Sequence, residues 1–427
     1  MTEPLTQNPG TTRLRIDGDR LWSALMELAR IGAYEDEATG LWGVNRQSLT
    51  DQDAEGRTLL IRWMEEVGLS VTVDQMGNIF GRREGHEPQL APVMAGSHID
   101  TVATAGAFDG CLGVLGALEI VGSLNDAGIV TRRPIVVVAW TEEEGVRFGT
   151  DMLGSAVAAG RLSLDYAYGL QDEAGLSFGD ELVRIGFAGD HPVQLDPPHA
   201  YLECHIEQGP VLAEAGCAVG VVTGVQSISW QKITLHGRSA HAGTTPIQLR
   251  VDAGLAAAQI VIEARRMVDS GEYGQLRATV GHIRTSPGLA SVVPERAEIT
   301  VDLRNPDDEL MAQAEAHLAE FLAELPGRQP GLRVETQRMA RTAAVAFDPS
   351  IQDALAASAA QLGLDTVRLK SGAGHDAQEM AAITPAAMVF VRGQNQGISH
   401  NPREFSTVED CVAGVSVLAD VVLELSS

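Results

Sequence analysis

The segment from residue 91 to residue 140 constrains the fold more than any other part of the chain. It contains the apolar run APVMAGSH, a glycine-rich polar loop, the helically spaced stretch CLGVLGALEIVGSLNDAG and a second apolar run, PIVVVAW. Both apolar runs have the length of strands, so the order predicts strand, loop, helix and strand. This order is typical of a mostly parallel sheet with crossover helices, in which ligands bind beyond the carboxyl ends of the strands.

The sequence pattern predicts two domains in this chain of 427 residues. From residue 216 to about residue 333, segments with period two, such as VGVVTGVQSISWQKITLHG and RAEITVDLR, alternate with two helical segments. We therefore expect a larger α/β domain from residues 1–215 and 334–427, with a mostly parallel sheet and helices on both faces. A smaller α+β domain would be inserted at residues 216–333.

Charge, cysteine spacing and apolar runs indicate which partners and which cellular location to expect. The chain has 31 Lys and Arg against 57 Asp and Glu, which gives a net charge of −26 and argues against binding to nucleic acid or anionic membranes. The four cysteines are scattered and form no CxxC pair, as expected of reduced thiols. The N-terminus lacks a signal-peptide core and no apolar run reaches membrane-spanning length, so we expect a cytoplasmic protein.

Acidic residues and a histidine follow the two predicted central strands. His98, Asp100 and Asp109 lie in the glycine-rich loop after the first strand, and Glu142–Glu144 follow the second. Imidazole nitrogen and carboxylate oxygen are ligands of divalent metals, and small neighbouring residues allow them to converge. Three adjacent carboxylates after a buried strand have only one another or a cation as partners. The two segments together predict a metal site at the carboxyl edge of the sheet.

Two further histidines extend the predicted set of metal ligands. His205 in HIEQGP and His400 in GISHNP are each ambiguous alone, because a single histidine is more often structural than a ligand. Together with His98, Asp109 and one glutamate, they would complete a set of ligands for two metal ions.

Other candidate residues lie in turns and at strand ends. His241 in GRSAHAGTTP is either a surface residue, which its local sequence favours, or a donor to a developing oxyanion. Arg304 at the end of VDLR either forms a surface salt bridge or binds a substrate carboxylate. The glycines around Gly374 and His375 in SGAGHDA permit close approach of the backbone to a ligand.

Six motifs occur in one order along the chain: GSHIDTVATAGAFDG, TEEEGVRFG, HIEQGP, GRSAHAGTTP, SGAGHDA and GISHNP. This order resembles that of the amidase and ureido-hydrolase branch of the dinuclear zinc peptidase superfamily. The branch includes N-carbamoyl-L-amino-acid hydrolases, allantoate amidohydrolases and metal-dependent β-ureidopropionases. The resemblance implies a metal-binding catalytic domain, an inserted lid or dimerisation domain in a homodimer, and two divalent ions. Zinc is the first expectation, followed by manganese, cobalt or nickel.

The resemblance also implies roles for individual residues. The implied metal ligands are His98 and His205 for one ion, Glu144 and His400 for the other, and Asp109 as the bridge between them. Asp100 would orient His98, Glu143 would be the general base, and His241, from the partner's smaller domain or the lid, would stabilise the oxyanion. The implied substrate-binding residues are Gln226, Ser291, Arg304, Gly374 and His375, with Gln226 and Arg304 binding the substrate carboxylate.

Three positions depart from the family pattern without touching the implied metal ligands. Ser291 stands where an asparagine that contacts substrate is common, Glu142 stands where Asn or Asp is frequent, and Arg392 begins a loop that replaces a Pro-containing turn.

The implied reaction is cleavage of the carbamoyl C–N bond of an N-carbamoyl-L-amino acid, releasing the amino acid, CO2 and ammonia. Allantoate and β-ureidopropionate are alternative substrates for the same chemistry. Two competing hypotheses are a peptidase of the same superfamily and a catalytically inactive binding protein on this fold.

Overall fold

Two β-sheets organise the part of the chain that the computed structural model describes, residues 13–427. The first residues of the N-terminus, on which the expectation of no signal peptide largely rests, lie outside this part. The helices in it are α1 (Gly18–Leu28), α2 (Asp51–Glu66), α3 (Cys111–Asp126), α4 (Leu153–Ala158), α5 (Leu164–Gly169), α6 (Phe178–Arg184), α7 (Val211–Ala215), α8 (Ala253–Ser270), α9 (Asp308–Arg328), α10 (Pro349–Gln361), α11 (Asp376–Met380) and α12 (Val408–Ser426).

The strands alternate with these helices along the chain. They are β1 (Ala33–Glu35), β2 (Trp42–Val44), β3 (Ser70–Val73), β4 (Ile79–Arg83), β5 (Val93–His98), β6 (Ile135–Trp140), β7 (Ala200–Ile206), β8 (Val219–Val225), β9 (Ser227–His236), β10 (Ala240–His241), β11 (Arg277–Thr279), β12 (Ile283–Ser286), β13 (Val292–Val293), β14 (Arg296–Asn305), β15 (Arg333–Thr342), β16 (Val345–Ala346), β17 (Thr366–Ser371) and β18 (Ala386–Val391).

A nine-stranded mixed sheet forms the core of the larger unit. Its strand order is β16-β8-β18-β7-β5-β6-β4-β3, and β17 pairs with β8. The four central strands β18, β7, β5 and β6 are parallel and buried along their whole length, whereas the strands beside them pair in the antiparallel sense. This arrangement confirms the predicted α/β class, because continuous apolar strands require cover on both faces.

Helix α3 lies close against β5 and β7 because glycine occupies its first turn. A Cβ atom on Gly113 would stand 2.6 Å from the carbonyl oxygen of Cys204 and 2.6 Å from the Cβ atom of Ser97. Any side chain at this position would therefore push the helix away from the sheet. Since α3 begins two residues after Asp109, this close packing fixes how near Asp109 lies to the carboxyl ends of β5 and β7.

The smaller unit is built on an antiparallel sheet. Its strand order is β11-β14-β9-β15, and β12 also pairs with β14. Helices α8 and α9 pack on this sheet and share with it a core that includes Ile233, Ile260, Leu303 and Leu318. Along β14 the buried residues alternate with partly exposed polar ones, so one face of the sheet is apolar and the other polar.

The boundaries of the smaller unit differ from those of the predicted insertion, residues 216–333. The smaller unit consists of Gly224–Ala346 and Gly372–Gly374. Strand β8 has a period-two sequence, but it is almost fully buried and pairs with β18 of the central sheet. Strand β15 continues past the predicted end because it pairs along β9. The two sets of limits differ because period-two alternation in a sequence indicates how a strand is exposed and does not indicate which strand it pairs with.

Two further features bear on the expectations from composition. None of the helices within residues 13–427 combines the length and apolar character that a membrane span needs. All four cysteines, Cys111, Cys204, Cys217 and Cys411, are buried and unpaired.

Candidate metal centre

Two buried histidines stand at the carboxyl ends of neighbouring parallel strands. His98 ends β5 and His205 is the penultimate residue of β7, and each is 1% exposed. The Nδ1 atom of His98 lies 2.9 Å from the backbone oxygen of Asp100, and that of His205 lies 2.8 Å from the oxygen of Ile206. Because a carbonyl oxygen only accepts hydrogen bonds, Nδ1 carries a proton in each ring, and Nε2 is the nitrogen that can bind a metal ion once it is deprotonated.

Asp109 joins these histidines to a third one through its two carboxylate oxygens. Its Oδ1 atom lies 3.1 Å from Nε2 of His205 and 3.8 Å from Nε2 of His98. Its Oδ2 atom lies 3.3 Å from Nε2 of His400, which is also 3.3 Å from an oxygen of Glu144. The structure therefore brings the five predicted ligands into two groups that share Asp109: His98, Asp109 and His205 in one, and Asp109, Glu144 and His400 in the other.

The carboxylates in the two groups favour positive charge on the groups around them. Burial alone would raise the pKa of Asp109, but its contacts with His205 and His400 hold that pKa well below its usual range. Burial disfavours the charged form of His205, yet Asp109 outweighs it and raises the pKa of His205 to about 9. Asp109 and Glu144 likewise overcome burial and raise the pKa of His400 to about 11. The protons on these rings supply the positive charge that a metal ion would supply.

The donor atoms fit two divalent ions. One group offers two imidazole nitrogens and a carboxylate oxygen, and the other offers one imidazole nitrogen and two carboxylate oxygens, each with its donor atoms within 4.8 Å of one another. Such a mixture of nitrogen and oxygen donors, with no thiolate, suits zinc and also manganese, cobalt or nickel.

A third cluster beside the site, Glu203, His205 and His375, is less suited to a metal ion. Glu203 already accepts hydrogen bonds from the Ser97 hydroxyl at 2.6 Å, from the Tyr201 hydroxyl at 3.2 Å and from a backbone N–H. The ring of His375 is buried, with its centroid 4.5 Å from that of His205. Its Nε2 atom lies 2.8 Å from the hydroxyl of Ser371. His375 thus packs against His205, one of the candidate metal ligands.

Asp100 contacts His98 through its backbone oxygen and holds the neighbouring turn through its carboxylate. Its carboxylate is 3.8 Å from Nδ1 of His98, beyond hydrogen-bond distance, and the backbone oxygen makes that contact instead. The carboxylate accepts hydrogen bonds from the backbone N–H groups of Glu143, at 3.4 Å, and Glu144, at 3.3 Å. These bonds hold the turn after β6, so Glu143, which is 7% exposed, places an oxygen 3.4 Å from Nε2 of His98.

Two of the residues that depart from the family pattern, Glu142 and Arg392, form a hydrogen bond and an ion pair, respectively. Glu142 is buried with a φ of 58°, and its carboxylate accepts a hydrogen bond from the backbone N–H of Phe148 at 3.0 Å. Arg392 pairs with Asp410 at 2.9 Å.

His241 and Ser291 lie side by side in the smaller unit. Strand β10, which ends at His241, pairs with β13, and the backbone N–H of Ala242 donates to the oxygen of Ser291 at 2.9 Å. The exposed ring of His241 accepts hydrogen bonds at Nδ1 from the N–H groups of Gly243, at 3.0 Å, and Thr244, at 3.1 Å. Because Nδ1 is an acceptor, Nε2 carries the hydrogen and can donate it outward.

Arg304 and Gln226 meet at one backbone carbonyl of the smaller unit. Gln226 donates to the oxygen of Gly372 at 2.7 Å and Arg304 donates to it at 2.8 Å. The other terminal nitrogen of the Arg304 guanidinium pairs with the carboxylate of Asp302 at 3.0 Å. Arg277 lies directly opposite Arg304 on β11, so two guanidinium groups share this polar face. Gly374 belongs to the short segment Gly372–Gly374 beside them.

Three residues that the sequence analysis did not single out surround Asp109. Gln208 donates to its Oδ2 atom at 2.7 Å and Ser399 at 2.9 Å, while Glu404 accepts the backbone N–H of Asp109 at 3.1 Å. Gln208 and Ser399 stand in the HIEQGP and GISHNP motifs, one to three residues from a ligand, which is the sequence signal that could have found them.

Two donor groups share one carboxylate at the carboxyl ends of the central parallel strands of a mixed sheet. This arrangement defines the class: an α/β protein with a candidate dinuclear metal centre. The model of the peptidase family M20/M25/M40 matches residues 94–424, and the chain belongs to this family.

The relatives confirm the amidase branch that the motif order indicated. The chain is 44% identical to an N-carbamoyl-L-amino-acid amidohydrolase of Rhizobium meliloti, over 97% of this chain and 98% of the relative. It is 41% identical to one of Geobacillus stearothermophilus, over 96% and 99%. It also matches the crystal structure of an amidase of the hydantoinase/carbamoylase family from Burkholderia vietnamiensis, with a TM-score of 0.91 and 42% identity over 97% of this chain and 99% of the other.

The packing of Gly110 against His98 gives a testable prediction. Gly110 has a φ of 65° and a ψ of −46°, and a Cβ atom there would stand 2.4 Å from the imidazole ring. We expect Gly110→Ala to lower the free energy of unfolding by about 1–3 kcal/mol because of the backbone conformation. It should also weaken metal binding, because the ring must move. Denaturant unfolding of the metal-free protein and equilibrium dialysis against zinc measure the two effects.

Gly128→Ala is the matched control for this substitution. Gly128 has a φ of 64°, and a Cβ atom there would meet no other atom of residues 13–427 within 4 Å. The control should lose stability and keep wild-type zinc affinity. Wild-type zinc affinity in Gly110→Ala would contradict the contact with His98.

Proposed function

We propose that this protein is a metal-dependent amidohydrolase that cleaves the carbamoyl C–N bond of N-carbamoyl-L-amino acids. The products would be the free amino acid, CO2 and ammonia. Asp109 supplies the main support, because its two oxygens face separate groups of imidazole and carboxylate donors. The identity of 44% to an N-carbamoyl-L-amino-acid amidohydrolase over nearly the whole chain supports the substrate class.

Two divalent ions would be held by the two donor groups that share Asp109. We propose His98 and His205 as the ligands of one ion and Glu144 and His400 as those of the other, with zinc as the first candidate. When bound, such ions supply Lewis acidity, which polarises a carbonyl group and makes a nearby water molecule acidic. The bonds from Nδ1 of His98 and His205 to backbone oxygens support this role, since they aim Nε2 at the site.

Glu143 is the proposed general base. Its carboxylate is buried 3.4 Å from Nε2 of His98, and its backbone is tied to Asp100. From there it would take a proton from the attacking water and deliver it to the leaving nitrogen. Asp100 is a positioning residue in this scheme, because its carboxylate holds the backbone that carries Glu143 and Glu144.

The smaller unit carries the proposed contacts to the rest of the substrate. The outward N–H of His241 would donate to the oxyanion, and Ser291 beside it would contact the substrate with a hydroxyl instead of an amide. Arg304 and Gln226, which meet at the carbonyl of Gly372, would bind the substrate carboxylate.

Further proposals concern the remaining substrate contacts, assembly and location. Gly374 and His375 are proposed as substrate-binding residues through the backbone of their turn, since the His375 ring is buried. We propose a homodimer formed through the smaller unit, following the resemblance to the dinuclear zinc peptidases. A cytoplasmic location is supported by the four unpaired cysteines.

Ammonia release from a panel of substrates tests this function. The panel comprises N-carbamoyl-L- and D-α-amino acids, β-ureidopropionate, allantoate and dipeptides, each with added zinc, manganese or cobalt. We expect the N-carbamoyl-L-amino acids to give the highest kcat/KM and a chelator to abolish turnover. A dipeptide as the best substrate would indicate a peptidase, and two bound ions without turnover of any ureido acid would indicate a binding protein.

Mixed dimers test the roles of Glu143 and His241 together. Glu143→Gln should keep its metal and lose most turnover, and His241→Ala should lower kcat by about 10²-fold or more. If His241 serves the partner's site, dimers with one subunit of each variant regain one intact site, and activity should rise on mixing. Near-normal kcat in Glu143→Gln would contradict the base assignment. Activity that stays at the average of the two variants would show that His241 acts within its own subunit.

A further inference from the structure

The two donor groups differ in how firmly the fold holds them. His98 and His205 are buried at strand ends, and backbone oxygens fix both rings. His400 lies in a loop with a φ of 56°, and its side chain is 48% exposed. Packing alone therefore does not fix the group of Asp109, Glu144 and His400, and other contacts must hold its ligands in place.

Glu404 ties the loop of Asp109 to the loop of His400. The Glu404 side chain is 6% exposed, and its Oε1 atom accepts the backbone N–H groups of Phe108, at 3.0 Å, and Asp109, at 3.1 Å. A Cβ atom on Gly106 would stand 2.5 Å from the Cβ atom and 2.6 Å from the Oε1 atom of Glu404. The loop before Asp109 thus wraps closely around this carboxylate, and glycine at position 106 makes room for it.

Ser399 connects the other oxygen of Glu404 to the metal-facing oxygen of Asp109. Its hydroxyl lies 2.7 Å from Oε2 of Glu404 and 2.9 Å from Oδ2 of Asp109. The oxygen that it touches, Oδ2, is the one that faces His400. The Thr104 hydroxyl adds a second bond between the loops, to the backbone oxygen of His400 at 3.0 Å.

We infer that Glu404 and Ser399 are positioning residues that preform the second metal-binding group, that of Asp109, Glu144 and His400. This inference rests on the proposed dinuclear centre. Glu404 fixes the backbone of Asp109, and Ser399, together with Gln208, fixes the orientation of its Oδ2 atom. The first group depends on them less, because the strands hold two of its three donors, His98 and His205, and only the Oδ1 atom of Asp109 comes from the loop.

Metal binding by variants of these two residues tests the inference without measuring activity. Chelator-treated full-length protein is dialysed against buffered zinc, and the ions per chain are counted at each concentration. In Ser399→Ala and Glu404→Ala we expect the affinity for the first ion to change much less than the affinity for the second, because two of its three ligands are held by the strands. The second ion should bind about 10- to 100-fold more weakly, the range typical when a residue that orients a ligand is lost.

Glu404→Gln distinguishes positioning from charge. The glutamine carbonyl can still accept both backbone N–H groups, and its amide can still bond to the Ser399 hydroxyl. We expect second-ion affinity close to that of the wild type in this variant, whereas a role through negative charge alone would weaken it as much as Glu404→Ala does. Ser399→Ala removes one oxygen from a partly exposed residue, so it keeps the test valid even if Glu404→Ala fails to fold.

Asp74→Asn is the matched control for loss of a buried carboxylate. Asp74 is 1% exposed and accepts two backbone N–H groups of its own loop, from Met76 at 2.8 Å and Asn78 at 2.9 Å, whereas Glu404 accepts its two from the loop of Asp109. It should lose thermal stability and keep both ion affinities.

The outcomes separate this inference from the proposed function. The positioning role would be overturned if Ser399→Ala lowered the affinity for both ions equally. It would also be overturned if neither alanine variant changed the affinity for the second ion. A wild type that binds only one ion would overturn the dinuclear centre itself.

Discussion

The rest of the structure depends on one buried carboxylate that is shared between two groups of ligands. Burial of Asp109 would by itself favour the neutral acid, yet positive charge on His205 and His400 keeps it ionised. A buried carboxylate is tolerated only where cations and hydrogen bonds compensate for lost hydration. The surrounding fold meets this requirement from several directions, with strand ends at Oδ1 and loop residues at Oδ2.

The fold brings these ligands together through close approaches of the backbone. Gly113 allows α3 to lie on β5 and β7, and Gly110 allows the chain to pass over the His98 ring. Both glycines follow Asp109 closely in sequence, so they fix where its carboxylate stands relative to the strand ends. The parallel strands then supply His98 and His205 at a common edge, as crossover connections dictate.

Sequence reasoning pointed to residues of the two donor groups because several of them follow apolar strands. His98, Glu143 and Glu144 stand at strand ends, where the rule for parallel sheets places a site, and the motif order identified the family. The same reasoning could not reach Glu404, whose partners lie nearly 300 residues earlier in the chain. It also could not tell which group of Asp100 contacts His98, since neither periodicity nor motif order says whether a carboxylate or a carbonyl faces the ring. The limits of the smaller unit differ from the predicted ones for a similar reason, because the period-two sequence of β8 does not reveal that this strand pairs with β18.

Anomalous X-ray scattering from crystals grown with zinc or manganese tests most directly whether Asp109 bridges two metal ions. We expect two anomalous peaks about 3.5–4 Å apart. One oxygen of Asp109 should bind each ion, with His98 and His205 on one and Glu144 and His400 on the other. A single peak, or two peaks of which only one contacts Asp109, would contradict the bridging role.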